Sequence, residues 1–237
     1  MKLQLGINTG FTLNRYMLPQ QWIPLIAEEF KLKHVQFTAD LINPAMPDKI
    51  VERLVSQTVD LAKKYSLCID SAFTSAFTRV NHFSHPDDEI RAYWVEWFKR
   101  FTDIALTLGA DNIGSHFSIL TVPDLSDESK RKKRFHQAIE CWHTIADFGK
   151  PKGLKYLTWE PMSIPREYGE TIEETLRIQE ALNSGAPLPF KLCMDVDHGD
   201  VSSANPDDTN PYKWLQVFAK DTPFVHLKQR KADKGGH

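Results

Sequence analysis

Short apolar runs recur along the chain at nearly even spacing, and this recurrence limits the fold more than any other feature. There are seven: "KLQLGIN", "HVQFTA", "LCIDSAF", "NIGSHFS", "YLTWEPM", "FKLCMDV" and "FVHLKQ", beginning near residues 2, 34, 67, 112, 156, 190 and 224. Intervals of roughly 32–45 residues hold one strand, one helix and their loops. The stretches between the runs are amphipathic. In the longest, Trp94, Trp97, Phe98, Phe101, Ala105 and Leu108 fall three or four apart, which predicts one apolar helix stripe. Asp87, Asp88 and Glu89 lie at its start, where the helix dipole favours acid, and Gly109 follows as a stop. Thr171 and Glu174 are spaced as a capping box ahead of Leu176 and Leu182.

Serial βα units predict a parallel sheet, either open and doubly wound or closed into a barrel. The first run leads into "GINTGFTLN", which lacks the GxGxxG of a dinucleotide fold. The α/β (β/α)8 TIM barrel is therefore the expected architecture, as a single domain over residues 1–237. Only seven strand candidates are present, so the last βα unit is expected to be missing. A barrel short of one stave would leave two open edges, which favours an incomplete chain.

Bulk composition narrows the function classes. Twenty-nine basic residues against 31 acidic ones give a formal charge of -2, which offers no global attraction for nucleic acid or membrane. The basic run 130–134 precedes Phe135, Ala138, Ile139, Trp142 and Ile145 at helical spacing, so it reads as a solvated helix face. Cys68, Cys141 and Cys193 are far apart, lack CxxC spacing and sit among apolar neighbours. They read as reduced, buried thiols in a cytoplasmic protein. No signal-peptide pattern or apolar stretch of membrane-spanning length is apparent.

In a barrel of this class the C-terminal ends of the strands build the active site. The stretch "CMDVDHGD" ends an apolar run with Asp195, Asp197 and His198, groups that are costly to bury unpaired. Asn8 ends the first strand, Thr38 and Asp40 lie near the end of the second, and His116 lies on the fourth. Glu160 ends the fifth, and His226 followed by Lys228 lies on the seventh. Carboxylates and imidazoles gathered at one barrel mouth suit a divalent metal. Asp197 is expected to be a bystander facing outside the barrel, because alternate strand residues point oppositely.

The chain resembles the xylose isomerase-like TIM-barrel superfamily, in particular its sugar and sugar-phosphate isomerases and epimerases. The resemblance rests on Glu160 in "LTWEPM", Asp195 and His198 in "MDVDHG", His226 in "FVHLK", and the "FSHPDDEIR" to "LGADNI" connection. It implies that Glu160, Asp195 and His226 bind one divalent ion (Mn, Co, Mg or Zn) and that His198 points at the substrate. It also implies that Glu160 serves as a catalytic base. The family's fourth ligand, a Glu ending strand eight, has no counterpart in these residues.

Such a metal acidifies the C–H beside a carbonyl and stabilises an enediolate. Proton return to the same carbon with inversion is epimerisation; return to the neighbouring carbon is isomerisation. The expected substrate is a small ketose or ketose phosphate. His116, Asn8 and the basic residues Arg166, Lys228, Arg230 and Lys231 are candidates for holding its hydroxyls or phosphate. The resemblance is nearest to tetrulose-phosphate epimerases. An inosose-type dehydratase would use the same metal set, and a non-catalytic sugar-binding relative would lose a ligand. An endonuclease IV-like enzyme would need more histidines than "DSAFTS" supplies at strand three. No nucleic-acid or membrane partner is expected, and a homo-oligomer is compatible with the sequence.

Overall fold

Each of the seven apolar runs becomes a strand in the computed structural model, which describes residues 3–228. The strands are β1 (Gly6–Asn8), β2 (His34–Thr38), β3 (Cys68–Phe73), β4 (Asn112–His116), β5 (Tyr156–Glu160), β6 (Phe190–Asp195) and β7 (Phe224–His226). They follow chain order in one sheet, and every described pairing is parallel. The helices are α1 (Pro19–Pro24), α2 (Asp48–Tyr65), α3 (Asp88–Leu108), α4 (Val122–Leu125), α5 (Glu128–Gly149), α6 (Ile172–Asn183) and α7 (Pro211–Phe218). The alternation is that of the (β/α) barrel class. Among the described residues no helix is long and apolar enough to cross a membrane.

Two contact-dense units divide the chain. The first takes the chain up to Thr78 together with Glu96–Gly114 and Phe148–Lys155. Within it, β1 pairs with β2 through Gly6↔His34, Ile7↔Val35 and Asn8↔Gln36. A Cβ on Gly6 would stand 2.8 Å from the His34 carbonyl oxygen, so this pairing requires glycine. The β2–β3 register slips between Val35 and Gln36, leaving Asp70 to meet His34 Nδ1 at 3.0 Å.

The second unit comprises Arg79–Val95, Ser115–Asp147 and the chain from Tyr156 onward. Its core is aromatic: Phe117, Trp142, Trp159 and Tyr168 are fully buried. Phe117 meets Tyr168 edge-on, with ring centres 5.0 Å apart. Both indole N–H groups there find acceptors, Trp142 on the Phe117 carbonyl at 2.9 Å and Trp159 on Gln179 Oε1 at 2.8 Å. Trp159 thus faces α6, and period-two alternation turns its neighbours Thr158 and Glu160 to the other side of β5.

Three expectations are corrected. Arg134, the last residue of the basic run, is buried and pairs through Nε with Asp124 Oδ2 at 3.1 Å. The rotation of about 100° per helix residue carries it inward from the exposed Lys132 and Lys133. Cys68 is exposed, Cys141 half-buried and only Cys193 buried, all three as free thiols. Cys68 opens β3, beyond the covered part of that strand. Leu176 is half exposed, at 49%, while Ile178 and Leu182 carry the buried face of α6. Thr171 caps that helix by accepting from Glu174 N at 3.1 Å, but the Glu174 carboxylate goes to Arg177 instead of closing the box.

Candidate active site

Glu160 ends β5 and Asp195 ends β6, each the last residue of its strand. The β6–β7 register sets Asp195 against His226. Cys193 and Asp195, two residues apart, share the face of β6 that His226 meets: Cys193 Sγ lies 3.3 Å from His226 Nε2. His226 Nδ1 lies 3.3 Å from Glu160 Oε1. Strand position and register thus put the His226 ring on Glu160 and set His226 opposite Asp195 in the ladder.

His198 arrives from the loop after β6. Its Nδ1 donates to the Pro161 carbonyl at 2.7 Å. A carbonyl can only accept, so the proton sits on Nδ1 and Nε2 is the basic nitrogen. Nε2 lies 3.8 Å from Asp195 Oδ2, and Nδ1 lies 3.6 Å from Glu160 Oε1. Glu160, Asp195 and His198 each offer one ligand atom within 4.8 Å of the others, the one such group among the described residues.

The donor set fits a divalent cation. Asp195 Oδ2 is wholly enclosed, so its negative charge needs a cationic neighbour. Its contacts are charges: the Lys228 ammonium forms an ion pair with it, and the His198 ring adjoins it. A cation is therefore already accommodated at that oxygen. Burial alone would raise the Glu160 pKa, but the hydrogen bond from His226 and the charges of His226, His198 and Lys228 outweigh it and lower it to about 2. Burial opposes charge on His226, yet Cys193 and Glu160 raise its pKa. Glu160 is thus held as a carboxylate, an anionic oxygen donor of the kind a divalent cation takes.

The β5–α6 loop behind Glu160 is tightly built. Tyr168 is fully buried with φ at +65°, in the region most side chains avoid. Gly169 follows at φ +78°, and a Cβ there would stand 2.9 Å from the Trp159 ring and 3.0 Å from Pro161 Cα. The Met162 N–H closes the loop on the Tyr168 carbonyl at 3.0 Å. Pro161, which holds His198, is fixed by this packing.

The remaining candidates are distributed as follows. His116 is buried, with Nε2 3.4 Å from the Val80 carbonyl and its ring centre 4.3 Å from that of His82. Burial lowers its pKa to about 4, against the opposing pull of the Val80 carbonyl, Glu167 and Glu160. Arg166 lies in the β5–α6 loop with Nη2 3.7 Å from Glu167 Oε1. Lys228 sits on Asp195, as described. Asn8 belongs to the other unit, where it donates to Gln36 Oε1 and accepts from Gly10 N, each at 2.7 Å. Arg230 and Lys231 lie outside the described residues. Asp197 follows the end of β6, so strand alternation does not govern its direction; its backbone N–H bonds Asp195 Oδ1 at 2.9 Å.

Sequence reasoning missed two residues of this region. Arg79 donates through Nη2 to Glu167 Oε2 at 2.8 Å, and the Glu167 side chain is only 5% exposed. The two are 88 positions apart, and no local pattern couples them. Glu167 beside Arg166 in "SIPREYG" was the available signal.

Residues 26–237 match the family model of the xylose isomerase-like TIM barrel. The chain belongs to that family. Over 238 aligned positions it is 40% identical to a D-erythrulose 1-phosphate 3-epimerase of Brucella abortus (strain 2308), covering all of this chain and 77% of that protein. Among solved structures, a provisionally named xylose isomerase from Rhodospirillum rubrum ATCC 11170 superposes with a TM-score of 0.89 at 23% identity, over 97% of this chain and 78% of that one. A D-psicose 3-epimerase superposes at 0.72 with 15% identity, over 99% and 77%. At those identities the structural likenesses establish the shared fold alone.

Proposed function

We propose that this protein is a metal-dependent 3-epimerase of a short ketose phosphate, with a four-carbon ketose 1-phosphate as its substrate. One observation carries the reading: Glu160, Asp195 and His198 converge within 4.8 Å, with His226 on Glu160, in a chain 40% identical to a tetrulose-phosphate 3-epimerase. Glu160 and Asp195 would hold the divalent ion together with His226, which touches Glu160 and is in register with Asp195. Bound there, such an ion supplies Lewis acidity that polarises the ketose carbonyl and lowers the cost of removing the adjacent proton.

The chain's own residues do the rest. Glu160, kept anionic by its cationic neighbours, accepts the proton from C3 of the ketose. A proton returned to the opposite face of the same carbon inverts it. His198, with Nδ1 committed to Pro161, presents a basic Nε2 that accepts a hydrogen bond from a substrate hydroxyl. Lys228 balances Asp195. Arg166, on the loop after β5, takes the phosphate.

The test is deuterium incorporation at C3 of a four-carbon ketose 1-phosphate in D2O, followed by NMR. The runs compare the protein as purified, after chelator treatment, and after readdition of Mn, Co, Mg or Zn. C3 exchange with inversion, lost with chelator and restored by metal, is the expected result. Absence of exchange under every metal condition overturns the reading.

A further inference from the structure

Two arginines of the second unit share one buried carboxylate. Arg79 Nη2 lies 2.8 Å from Glu167 Oε2, and Arg166 Nη2 lies 3.7 Å from Glu167 Oε1, so each oxygen takes one guanidinium. The carboxylate is 5% exposed, whereas the arginine side chains are 42% and 37% exposed. One negative charge against two positive ones leaves the group net positive, and the excess lies on the accessible side. Among the described residues no other side-chain acceptor meets either guanidinium. A guanidinium has five donors in a fixed fork, so each retains capacity for an incoming anion.

The backbone around the pair is fixed. Leu120 N–H donates to the Arg166 carbonyl at 2.8 Å. Asn81, two residues after Arg79, donates to the Ile119 carbonyl at 2.8 Å and accepts from Ser118 Oγ at 2.9 Å. Both arginines are therefore tied to the segment that leaves the C-terminal end of β4, and Arg166 also follows the end of β5. Those strand ends form the face on which barrels of this class do chemistry. His116, at the end of β4, is acted on electrostatically by Glu167, Glu160 and Arg79 together.

The geometry points to an anion seat in which Arg79 and Arg166 grip the phosphate of the substrate jointly, with Glu167 as the buried post that aims both forks. This assignment rests on the phosphorylated-ketose reading above and adds Arg79 as a residue that sets specificity. An enclosed carboxylate suits the post: it fixes two long side chains before the ligand arrives, which lowers the ordering cost of binding. A tetrahedral phosphate offers several oxygens to two forks, whereas a terminal hydroxyl offers one weak acceptor.

The experiment compares wild type, Arg79→Ala, Arg79→Lys and the double variant Arg79→Ala/Glu167→Gln. Two quantities are read: the ratio of kcat/KM for a four-carbon ketose 1-phosphate to that for the unphosphorylated ketose, and the Kd for inorganic phosphate by calorimetry. Arg79→Ala is expected to lower the ratio at least about tenfold and weaken phosphate binding in parallel, with Arg79→Lys restoring part of both. The double variant removes the stranded buried carboxylate, so it keeps the test valid if Arg79→Ala is poorly folded; the same loss is expected from it. A wild-type preference for the phosphorylated ketose that survives in both variants, with phosphate affinity unchanged, overturns the assignment. If wild type shows no such preference but Arg79→Ala still loses inorganic phosphate, the anion seat stands and the phosphorylated-substrate reading fails.

Discussion

His198 donates its Nδ1 proton to the Pro161 carbonyl at 2.7 Å, and this bond decides which nitrogen faces Asp195. Strand β5 ends in Glu160, and the next residue, Pro161, supplies the carbonyl that orients the histidine. Loss of the ring and loss of its neighbour His226 should therefore have different consequences. His226→Ala is expected to weaken Mn(II) binding by more than about 100-fold, beyond the range seen for residues that only orient a ligand. His198→Ala should cost less than about tenfold in metal affinity and act mainly on KM. Titration calorimetry with the metal alone separates them, and the reverse order would make His198 the imidazole ligand.

Glu160→Gln should fold with an unchanged far-UV spectrum yet lose about a thousandfold in kcat/KM, the range of a general base. The amide keeps an oxygen for a metal but cannot take the C3 proton. Retention of more than about a tenth of wild-type activity would remove Glu160 from that role.

His82 and His116 predict an acid-sensitive fold. His82 is fully buried, and its pKa is well below normal through burial and the charge of His116. Burial also lowers His116 to about 4, where Glu167 and Glu160 oppose the shift and Arg79 assists it. Both rings are neutral when folded, while the unfolded chain takes up protons below about pH 6.5. The His116 contribution is thus complete above that pH and is lost as pH falls toward about 4, at up to about 1.4 kcal/mol per unit, and the His82 contribution is lost in the same direction. Urea unfolding at pH 7 and pH 5 measures the slope. His82→Asn, whose side chain tolerates the φ of +24° at that position, should flatten it; an unaltered slope would exonerate His82.

The Arg134–Asp124 pair is nearly enclosed, at 10% and 7% side-chain exposure. Asp124→Ala would leave a buried guanidinium without its carboxylate and should cost about 3 kcal/mol. Arg134→Met combined with Asp124→Leu should cost less than the single change. Chemical denaturation of the three proteins checks the order, and equal stability of Asp124→Ala and wild type would show the pair to be idle.

Some of this protein was readable directly from its residues. Apolar runs at βα spacing marked all seven strands, because a buried parallel strand needs an unbroken apolar stretch. The same logic placed Glu160 and Asp195 at strand ends, where polar residues stop a buried run. The stripe of Trp97, Phe98, Phe101, Ala105 and Leu108 likewise became the buried face of α3.

Tertiary structure decided what depends on contacts between distant segments. No periodicity says that His198 will bond a carbonyl 37 residues away, or that Arg79 will reach Glu167 across 88. A loop residue's direction follows from the packing around it, here a buried Tyr168 at positive φ and a Gly169 pressed on Trp159. Arg134 shows the same limit from the other side. Its charge argued for solvent, but the buried Asp124 carboxylate and the Gln137 amide oxygen hold it inward. Local patterns fix which backbone forms, since period and propensity act within a few residues; which polar groups meet is set by the free energy of pairing them away from water, and only the folded chain determines that.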